Sequence, residues 1–513
     1  MNPALADAMA SLPALLRAHI VVSGAALAIG VLVGFPLALW AAASRRVRVP
    51  LLAFAGLVQT IPALALLALF YPMLLIVRQA VGVPLPALGF LPALIALSLY
   101  ALLPIVRNGV AAQQSLDPAV IEAADGAGMT RRQRLLLVEL PLGAPVMLAG
   151  IRTAAVWTIG AATLATTVGQ PSLGNLIFSG LQTEDWIRVL VGCVASAALA
   201  LIADALLALI EAGVARRSRW RLWLGLGLLV AGIGTALVPA QSGNGPRRTI
   251  VIGAKNFSEQ YILADVIDAR LRAAGFATEQ RQDLGSAVAY RALAAGDIDV
   301  YVDYTGTLWA NVLGRKDTPP AAAMKAELAR QLEARDGVRL LGGLGFENAY
   351  ALAMRRQRAA TFGVASIADL AKVAPRLKLA TDIEFLSRPE WRSVADAYGL
   401  RFAEQRSYNP TFMYRAIVDG SADVLSAFSS DGRIRSLDLV TLSDPKGALP
   451  NYDAVLLLSR RAAQDPALVG ALRPLLGAIG VDRMREANLM VDRDTDKRTP
   501  GEAAAWLMQP AGR

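Results

Sequence analysis

The chain has few of the residues from which disulfides, soft-metal sites and nucleophilic active sites are built. It contains one cysteine, Cys193, and one histidine, His19, among 513 residues. A disulfide needs two thiols, and a soft-metal site usually needs several cysteines or histidines. Both residues lie in apolar sequence of helical length, which favours a structural role: Cys193 as a small helix residue, and His19 as an interfacial residue near the start of a membrane span. The sequence therefore predicts no catalytic residue and no metal site.

The chain also lacks the phosphate-binding motif Gly-x-x-x-x-Gly-Lys-Ser/Thr. The nearest candidate, Gly169–Asn175, has no lysine. We therefore expect no cofactor in this chain itself, and any ATP hydrolysis needs a separate protein.

Charged residues make up only 18% of the chain, against 55% hydrophobic residues, and they are unevenly distributed. Residues 1–240 are a succession of Ala/Leu/Val/Ile/Gly runs, whereas residues 249–513 carry charges every few positions, as a soluble surface does. Between them, QSGNGPRR at 241–248 has the composition of a flexible linker. This division predicts an N-terminal all-α polytopic membrane domain and a C-terminal extracytoplasmic α/β domain.

Six hydrophobic segments of the first half are long enough to cross a hydrocarbon core of about 30 Å. The first is not expected to be a cleaved signal peptide, because it is long and lacks a basic N-terminal region. Four prolines should interrupt the spans, either as simple kinks or around a translocation pathway. The predicted spans are Ala18–Ala43, Leu51–Val77, Leu88–Val106, Pro145–Val168, Val189–Ala212 and Leu222–Val238, and the prolines are Pro36, Pro62, Pro92 and Pro104.

Arginines cluster at the ends of these spans, so the net charge of +10 indicates membrane topology rather than nucleic-acid binding. They concentrate in alternate connections, which the positive-inside rule places in the cytoplasm. The N-terminus and everything after Val238 are then predicted outside, in a multi-pass protein of the bacterial inner membrane. The clusters are Arg45, Arg46 and Arg48; Arg107, Arg131, Arg132 and Arg134; and Arg216, Arg217, Arg219 and Arg221.

The most specific motif of the apolar half lies in the middle connection, a predicted cytoplasmic loop at 111–141. Residues 122–141 read EAADGAGMTRRQRLLLVELP, which resembles the coupling loop of ABC-importer permeases: EAA, then Gly, then an aliphatic-x-Leu-Pro. The small alanines predict a short helix, Gly128 predicts a sharp turn, and Pro141 predicts the end of a second helix. The residues assigned to coupling are Glu122, Ala123, Ala124, Asp125, Gly128, Leu140 and Pro141, with Val138 also in register.

This resemblance implies partners. In that family the loop docks on a separate cytoplasmic ATPase that binds ATP and Mg, with two ATPase copies beneath a homodimer of the permease. VQTIPALALLALFYP (58–72) and LYALLPIVRNGV (99–110) are further similar to permeases for glycine betaine, choline and carnitine, a family that also contains an ergothioneine importer.

After the linker, short apolar strands alternate with helices, which predicts parallel sheets with crossover helices. The length suffices for two lobes, predicted at about 249–345 plus 455–513 and at about 346–454. Ligands of open α/β sheets bind beyond the carboxyl ends of strands. There, GAKNFSEQ (253–260) offers a helix N-terminus that could receive a carboxylate.

The second half resembles the two-lobed binding proteins for glycine betaine, choline and related compounds. The matching phrases are GAKNFSEQYILADVI, GDIDVYVDYTGT, LGFENAYALAMR, FSSDGRI and PNYDAVLLL. The resemblance implies that four aromatic rings cage the cationic head: Tyr304, Tyr350, Phe428 and Tyr452. Phe428 departs from the family, which usually has tyrosine there. A trimethylammonium group donates no hydrogen bond, so ring faces suit it without a buried counter-ion.

The other end of the solute needs polar partners. The predicted set is Lys255, Asn256, Ser286, Thr307 and Ser429. A surface role for Lys255 is an open alternative, and Asp303 is expected to be a strand-end acid that pairs nearby.

The sequence thus predicts an energy-dependent importer of a quaternary ammonium solute, such as glycine betaine, choline or carnitine, for osmoprotection or nutrition. Three alternatives stay open. The solute could be ergothioneine or another betaine-like amino acid. The chain could be a membrane-tethered receptor, although a receptor has no use for the coupling loop. It could be an enzyme, although the soluble half contains neither cysteine nor histidine.

Overall fold

The computed structural model describes residues 3–82, 85–183, 185–237, 249–315, 317, 319–493 and 495–509. The predicted linker 241–248 and the predicted last residue of the final span, Val238, lie outside this set. The chain forms two compact units, one of which holds the apolar helices and the other both β-sheets.

Within the described residues, the apolar half folds into ten α-helices. A five-residue π-helical turn, Leu135–Glu139, joins the sixth helix to the seventh, and a 3-10 turn, Thr163–Val168, follows the seventh. The helices are α1 (Pro3–Ala43), α2 (Arg45–Thr60), α3 (Ala63–Val81), α4 (Phe90–Gln114), α5 (Pro118–Gly126), α6 (Arg131–Arg134), α7 (Leu140–Ala162), α8 (Gly174–Gln182), α9 (Trp186–Ala215) and α10 (Arg219–Leu237).

Among the described residues, five helical stretches are long and apolar enough to cross a membrane, and α2 with α3 makes a sixth if the bent pair is one span. The predicted span Leu51–Val77 is this pair, and its two helices meet at 101°. Pro62 is the cause: it has no N–H to donate, and it holds Ile61 in an extended conformation. Pro36 and Pro104 instead lie inside continuous helices, so they do not break their spans.

His19 lies fully buried in the helical bundle. Its Nε2 donates to the carbonyl of Ile159 at 3.0 Å, and its Nδ1 accepts from the amide of Leu173 at 3.3 Å. Both ring nitrogens are therefore satisfied, which fixes the tautomer. This geometry agrees with the predicted structural role, and the location of His19 at the membrane interface stays a prediction.

One ion cluster connects two of the spanning helices. Arg152 on α7 makes two hydrogen bonds to Asp204 on α9, both at 3.0 Å, and a third to Glu211 at 2.8 Å. The two acids are seven residues apart, so they lie on one face of α9. Charged groups within membrane spans need such partners, and this cluster ties α7 to α9.

Helices α4 and α7 pack at close range because glycines of α7 lie at the contact with α4. A Cβ at Gly150 would lie 2.5 Å from the Asn108 Cβ and 2.9 Å from the carbonyl oxygen of Pro104. Small residues allow membrane helices to approach in this way. The helix that follows the predicted coupling loop is thereby packed directly on the helix that precedes it.

The second half contains two five-stranded sheets. In the first the strand order is β2-β1-β3-β10-β4, and in the second it is β7-β6-β8-β5-β9. The strands are β1 (Thr249–Lys255), β2 (Ala277–Leu284), β3 (Val300–Tyr304), β4 (Arg339–Glu347), β5 (Tyr350–Arg355), β6 (Lys378–Asp382), β7 (Glu404–Tyr408), β8 (Val424–Phe428), β9 (Leu439–Thr441) and β10 (Asp453–Leu458).

Helices join most of these strands, as their alternation in the sequence predicted. They are α11 (Ser258–Ala273), α12 (Ser286–Ala295), α13 (Thr305–Thr307), α14 (Ala321–Asp336), α15 (Arg356–Phe362), α16 (Ile367–Val373), α17 (Pro389–Tyr398), α18 (Pro410–Val418), α19 (Arg433–Ser436), α20 (Arg460–Ala463), α21 (Pro466–Leu472), α22 (Val481–Asp492) and α23 (Pro500–Met508).

The sheets are parallel only in part. Strand β1 is parallel to β2 and β3, and β6 is parallel to β7 and β8, as predicted. Strand β10 is antiparallel to β3 and β4, however, and β5 is antiparallel to β8 and β9. These two strands enter their sheets directly after the chain crosses from one sheet to the other. A crossing without a helix brings the strand in from the opposite end, which strand alternation alone does not predict.

Candidate solute site and coupling loop

A cavity of about 230 Å³ is lined by residues from both sheets. It lies beyond the carboxyl ends of β1 and β3, the position expected for open α/β sheets. Eight of the predicted solute-binding residues line it: Tyr304, Tyr350, Phe428, Tyr452, Thr307, Asn256, Lys255 and Ser286. The chain therefore brings together phrases that are separated by up to about 200 residues.

Three of the four predicted cage rings touch one another. The centroid of Tyr350 lies 4.7 Å from that of Phe428 and 5.9 Å from that of Tyr452, whose plane is nearly perpendicular at 84°. The pairing of β5 with β8 sets the first contact, since Tyr350 and Phe428 are register partners. Tyr304 lines the same cavity from the end of β3, with Phe257 as its ring neighbour at 6.2 Å. Phe257 lines the cavity too, and the sequence reasoning missed it.

Two phenols of the cage donate to buried carboxylates. Tyr304 Oη donates to Glu259 Oε1 at 2.5 Å, and Tyr452 Oη donates to Glu390 Oε1. Burial, and then the neighbouring carboxylate charge, raises the pKa of both Tyr304 and Tyr452 well above the ordinary value. Both phenols therefore stay protonated and leave their ring faces to line the cavity.

The smaller polar residues sit at strand ends. Thr307 is buried in the short helix α13, directly after β3, and Ser286 is the first residue of α12, directly after β2. Asn256 follows β1 and is exposed. All three have side chains that can contact a ligand in the cavity.

Lys255 is buried rather than on the surface, with only 2% of its area exposed. Its Nζ forms an ion pair with Asp303, and the Asp303 carboxylate also accepts from Tyr301 Oη at 2.5 Å. The alternative of a surface role is therefore wrong, and the expected pairing of Asp303 is found. Because the pair neutralises the Lys255 charge, this residue is a weaker partner for a solute carboxylate than its sequence position implies.

The neighbour of Ser429, rather than Ser429 itself, faces the cavity. The Ser429 hydroxyl accepts from the amide of Ala349 at 2.9 Å, and Ser430 lines the cavity and donates to Glu259 Oε2 at 2.5 Å. Among the described residues that line the cavity, Ser429 does not appear. It instead joins the end of β8 to the crossing between the sheets.

Arg388 is the cationic group that the sequence reasoning missed. It lines the cavity just before α17, with 11% of its side chain exposed, and its guanidinium lies 5.6 Å from the Tyr350 ring centroid. One nitrogen pairs with Glu384, but Nε and Nη1 are buried and have no hydrogen-bond partner within the described part of the chain. Buried donors of this kind call for an acceptor, and a solute carboxylate supplies one.

The N-terminus of α11, expected to receive a carboxylate, is already occupied by acids. Glu259 lies in its first turn, and Ser258 Oγ donates to Asp492 Oδ1 at 2.5 Å. A solute carboxylate there would meet two like charges. Arg388, whose Nε and Nη1 are buried without a hydrogen-bond partner among the described residues, is therefore the better candidate to bind a carboxylate.

The predicted coupling loop forms the expected short helix. Asp117 caps α5, where it accepts from the amide of Ala119 at 2.9 Å, and Gly128 adopts a left-handed conformation with φ of 76°. Glu122, Ala123, Asp125 and Gly128 are exposed, whereas Ala124 is buried against the loop. Thr130 and Gln133 then form a capping box that starts α6.

Arg134, which the sequence reasoning did not assign to coupling, holds this loop together. It contacts both oxygens of Asp125 at 2.7 Å and Glu139 at 2.7 Å, and so ties α5 to the helix that follows. The prediction that Pro141 ends that helix is wrong, because the helix continues past it. The π-helical turn Leu135–Glu139 precedes it, Leu140 and Pro141 begin α7, and proline is tolerated in the first turn because its missing N–H is not needed there.

Two family models match the chain. The substrate binding domain of ABC-type glycine betaine transport systems matches residues 248–509, and the inner membrane component of binding-protein-dependent transport systems matches residues 30–216. The chain belongs to the ABC importers, as a permease fused to a glycine betaine-type substrate-binding domain. The predicted family, fold class and importer function are thereby confirmed, and the importer is a transport subunit rather than an enzyme.

Individual relatives cover different shares of this importer. It is 28% identical over 504 residues to the ergothioneine transport permease/ergothioneine binding protein of Helicobacter pylori strain G27, across 95% of the importer and 87% of that protein. It is 37% identical over 193 residues to a choline transport system permease protein of Bacillus subtilis strain 168, across 38% of the importer and 83% of that protein. A crystal structure of a glycine betaine/carnitine/choline ABC transporter covers 50% of the importer and 97% of that chain, at 24% identity and a TM-score of 0.45.

Proposed function

We propose that this importer takes up a trimethylammonium zwitterion, for osmoprotection or as a nutrient. The observation that carries the proposal is the cavity in which Tyr304, Tyr350, Phe428 and Tyr452 meet the buried guanidinium of Arg388. Each ring face contributes about 0.5–2 kcal/mol to a cation that it contacts. The unpaired nitrogens of Arg388 suit a carboxylate on the same solute.

This pairing favours glycine betaine and carnitine over choline. Choline carries the same cationic head but no carboxylate, so it would leave Nε and Nη1 of Arg388 buried and unsatisfied. A buried donor without a partner costs about 1–3 kcal/mol, or more for a charged group. Choline should therefore bind more weakly by at least about tenfold.

Ergothioneine is the second candidate. It too is a trimethylammonium zwitterion with a carboxylate, so the cage and Arg388 serve it equally. The relative whose resemblance runs along 95% of this chain is named for ergothioneine, and it shares the fusion of permease and binding protein.

For the energy source, we propose a separate cytoplasmic ATPase that binds ATP and Mg. Two copies would seat on the coupling loops of a homodimer of this chain. The exposed face of α5, held in place by Arg134, provides the docking element. The arginine-rich connections support a cytoplasmic position for this loop and a periplasmic position for the binding domain. A solute receptor without transport would have no use for this element.

Calorimetric titration of the full chain in lipid nanodiscs tests the solute class. The panel is glycine betaine, carnitine, choline and ergothioneine. We expect saturable binding of at least one carboxylate-bearing member. Tyr304→Ala and Tyr452→Ala should each weaken it about 2- to 30-fold, because each removes a ring face that contributes about 0.5–2 kcal/mol.

Tyr408→Ala is the matched control, because Tyr408 ends β7 and does not line the cavity as described. It should leave the affinity unchanged. Unaltered binding in both cage variants would contradict the aromatic cage. If no member of the panel binds, the proposed solute class is wrong.

A further inference from the structure

A buried carboxylate stands behind one wall of the cage. Glu259 is 3% exposed, lines the cavity and accepts the Tyr304 hydroxyl at 2.5 Å. The sequence predicts that ring faces hold the cation without any buried counter-ion. The structure instead places one anionic group directly behind a ring of the cage.

The four hydrogen-bond partners of Glu259 are all neutral. Tyr304 Oη and Asn348 Nδ2, at 3.0 Å, donate to Oε1, and Ser430 Oγ and Asn488 Nδ2, at 2.5 and 3.0 Å, donate to Oε2. Four donors on two oxygens are what an ionised carboxylate accepts. Within the described residues Glu259 forms no ion pair, so no cation of the protein cancels its charge.

The basic residue Lys255, which lies beside Tyr304, does not change this balance. Lys255 Nζ lies 5.4 Å from the Tyr304 ring centroid, but it is bonded to Asp303. The pair is neutral as a whole. Lys255, Asp303 and Glu259 together leave one negative charge beside the Tyr304 ring.

We propose that Glu259 sets the preference of this site for a cation, and that it acts through Tyr304 without touching the solute. The inference rests on the proposed function of the cavity as a trimethylammonium site. A phenol that donates to a carboxylate gains electron density, which strengthens the attraction of its ring face for a cation. The uncancelled charge of Glu259 adds to this attraction, because the buried site screens it less than water does.

The other phenol of the cage with a carboxylate partner provides an internal comparison. Tyr452 donates to Glu390, but the Arg388 guanidinium lies 3.8 Å from Glu390 Oε1 and offsets its charge. Glu259 therefore contributes more to cation binding than Glu390 does, although both accept from a ring of the same cage.

Tetramethylammonium, which carries the cationic head alone, is the probe that isolates this effect. Its dissociation constant is measured on the full chain in nanodiscs for the wild type, Glu259→Gln, Tyr304→Phe and the double variant. We expect each single variant to weaken binding about tenfold. The double variant should be no weaker than the worse single one, because both changes break one hydrogen bond. Glu390→Gln should weaken binding less than Glu259→Gln does.

A neutral probe separates charge from shape. 3,3-Dimethylbutan-1-ol has the trimethyl head without the charge, and ligand-observed NMR should show its binding unchanged by Glu259→Gln. Equal losses for the neutral and the cationic probe would overturn the inference, as would additive effects in the double variant or an unchanged tetramethylammonium constant in Glu259→Gln. If Glu259→Gln does not fold, an unchanged constant in Tyr304→Phe overturns it equally. If the wild type does not bind tetramethylammonium, the result would instead contradict the proposed function.

Discussion

Arg388 brings a positive charge to a cavity that four aromatic rings also line. Its Nε and Nη1 have no hydrogen-bond partner among the described residues, although Nη1 lies 3.8 Å from Glu390 Oε1, and its remaining nitrogen pairs with Glu384. The guanidinium also lies beside the Tyr350 ring, so the two ends of a zwitterion would bind side by side.

Arg388→Gln should therefore discriminate between solutes rather than weaken all of them. We expect affinity for carboxylate-bearing members of the panel to fall at least about tenfold, since a hydrogen bond to a charged group contributes about 1.5–3 kcal/mol. Tetramethylammonium, which has no carboxylate, should bind at least as tightly as in the wild type, because the change also leaves the charge of Glu390 uncancelled. Calorimetry on the full chain measures both. Arg392→Gln, an exposed position of the same helix, is the control, and an equal loss for both ligand types would contradict the assignment.

Asp492 makes the stability of the binding domain depend on pH. Burial raises the pKa of Asp492 from 3.8 to about 6, and the negative charge of Asp431 raises it further. The positive charges of Arg433 and Lys497 lower it in part. Because the pKa is raised in the folded state, protonated Asp492 contributes its full share to the free energy of unfolding below pH 4. That contribution is lost as the pH rises through 6. The shift corresponds to about 3 kcal/mol.

Asp492→Asn removes this titration, because asparagine stays neutral throughout. The melting temperature of the binding-domain transition in the variant should therefore rise relative to the wild type between pH 4 and 7. Differential scanning calorimetry of the full chain at several pH values measures the gap. Asp482→Asn, an exposed acid of the same helix, should show no such trend. A gap that stays constant with pH would contradict the raised pKa.

At the residue scale, the sequence predicted which segments form the site, but it did not predict every side chain that lines the cavity. Ser429 and Ser430 are neighbours after β8, and only the backbone conformation decides that the second one faces the cavity. Arg388 lies among many arginines, and its position depends on how α17 packs against the turn before it, where the ring centroids of Trp391 and Phe385 are 5.6 Å apart. Glu259 was part of a matching phrase, but its burial behind Tyr304 depends on donors that are up to 229 residues away.

At the scale of elements, the contact between α4 and α7 connects the two sides of the coupling loop. Gly150→Ala would place a methyl group 2.5 Å from the Asn108 Cβ, closer than real Cβ atoms come, and near backbone that cannot move away. We expect a destabilisation of about 1–3 kcal/mol, seen as a lower melting temperature of the membrane domain in detergent.

Gly160→Ala is the matched control on the same helix. Its added Cβ meets no atom within 4 Å, so the change should be neutral or slightly stabilising, as glycine to alanine is in open helical positions. Equal melting temperatures for the two variants would show that the helices are not packed as closely as described.

The sequence predicted the long helices of the apolar half because their hydrophobic runs are long, and the alternation of strands and helices in the second half because its short apolar runs recur regularly. It predicted Leu51–Val77 as one span, although Pro62 turns the chain by 101°. It also placed a helix end at Pro141, where a π-helical turn lets the helix continue into α7. In both places a proline acts through local backbone geometry, and the hydrophobic pattern continues across it without change.

At the scale of the whole molecule, one chain joins capture and translocation. The composition alone separated the two halves, because a membrane domain and a soluble domain need different surfaces. What the composition could not predict is the solute, which depends on a few groups in the cavity, and the energy source, which depends on another protein. A short tether also raises the effective concentration of the binding domain at its permease to millimolar order.

ATP-dependent uptake in proteoliposomes tests the central claim most directly. The full chain, with the ATPase that co-purifies with it, is reconstituted in lipid vesicles, and accumulation of the radiolabelled solute that binds best is followed with and without ATP on the ATPase side. We predict accumulation that requires ATP and that Tyr304→Ala abolishes at low solute concentration. Tight binding without any ATP-dependent accumulation would contradict the account and leave a receptor in place of an importer.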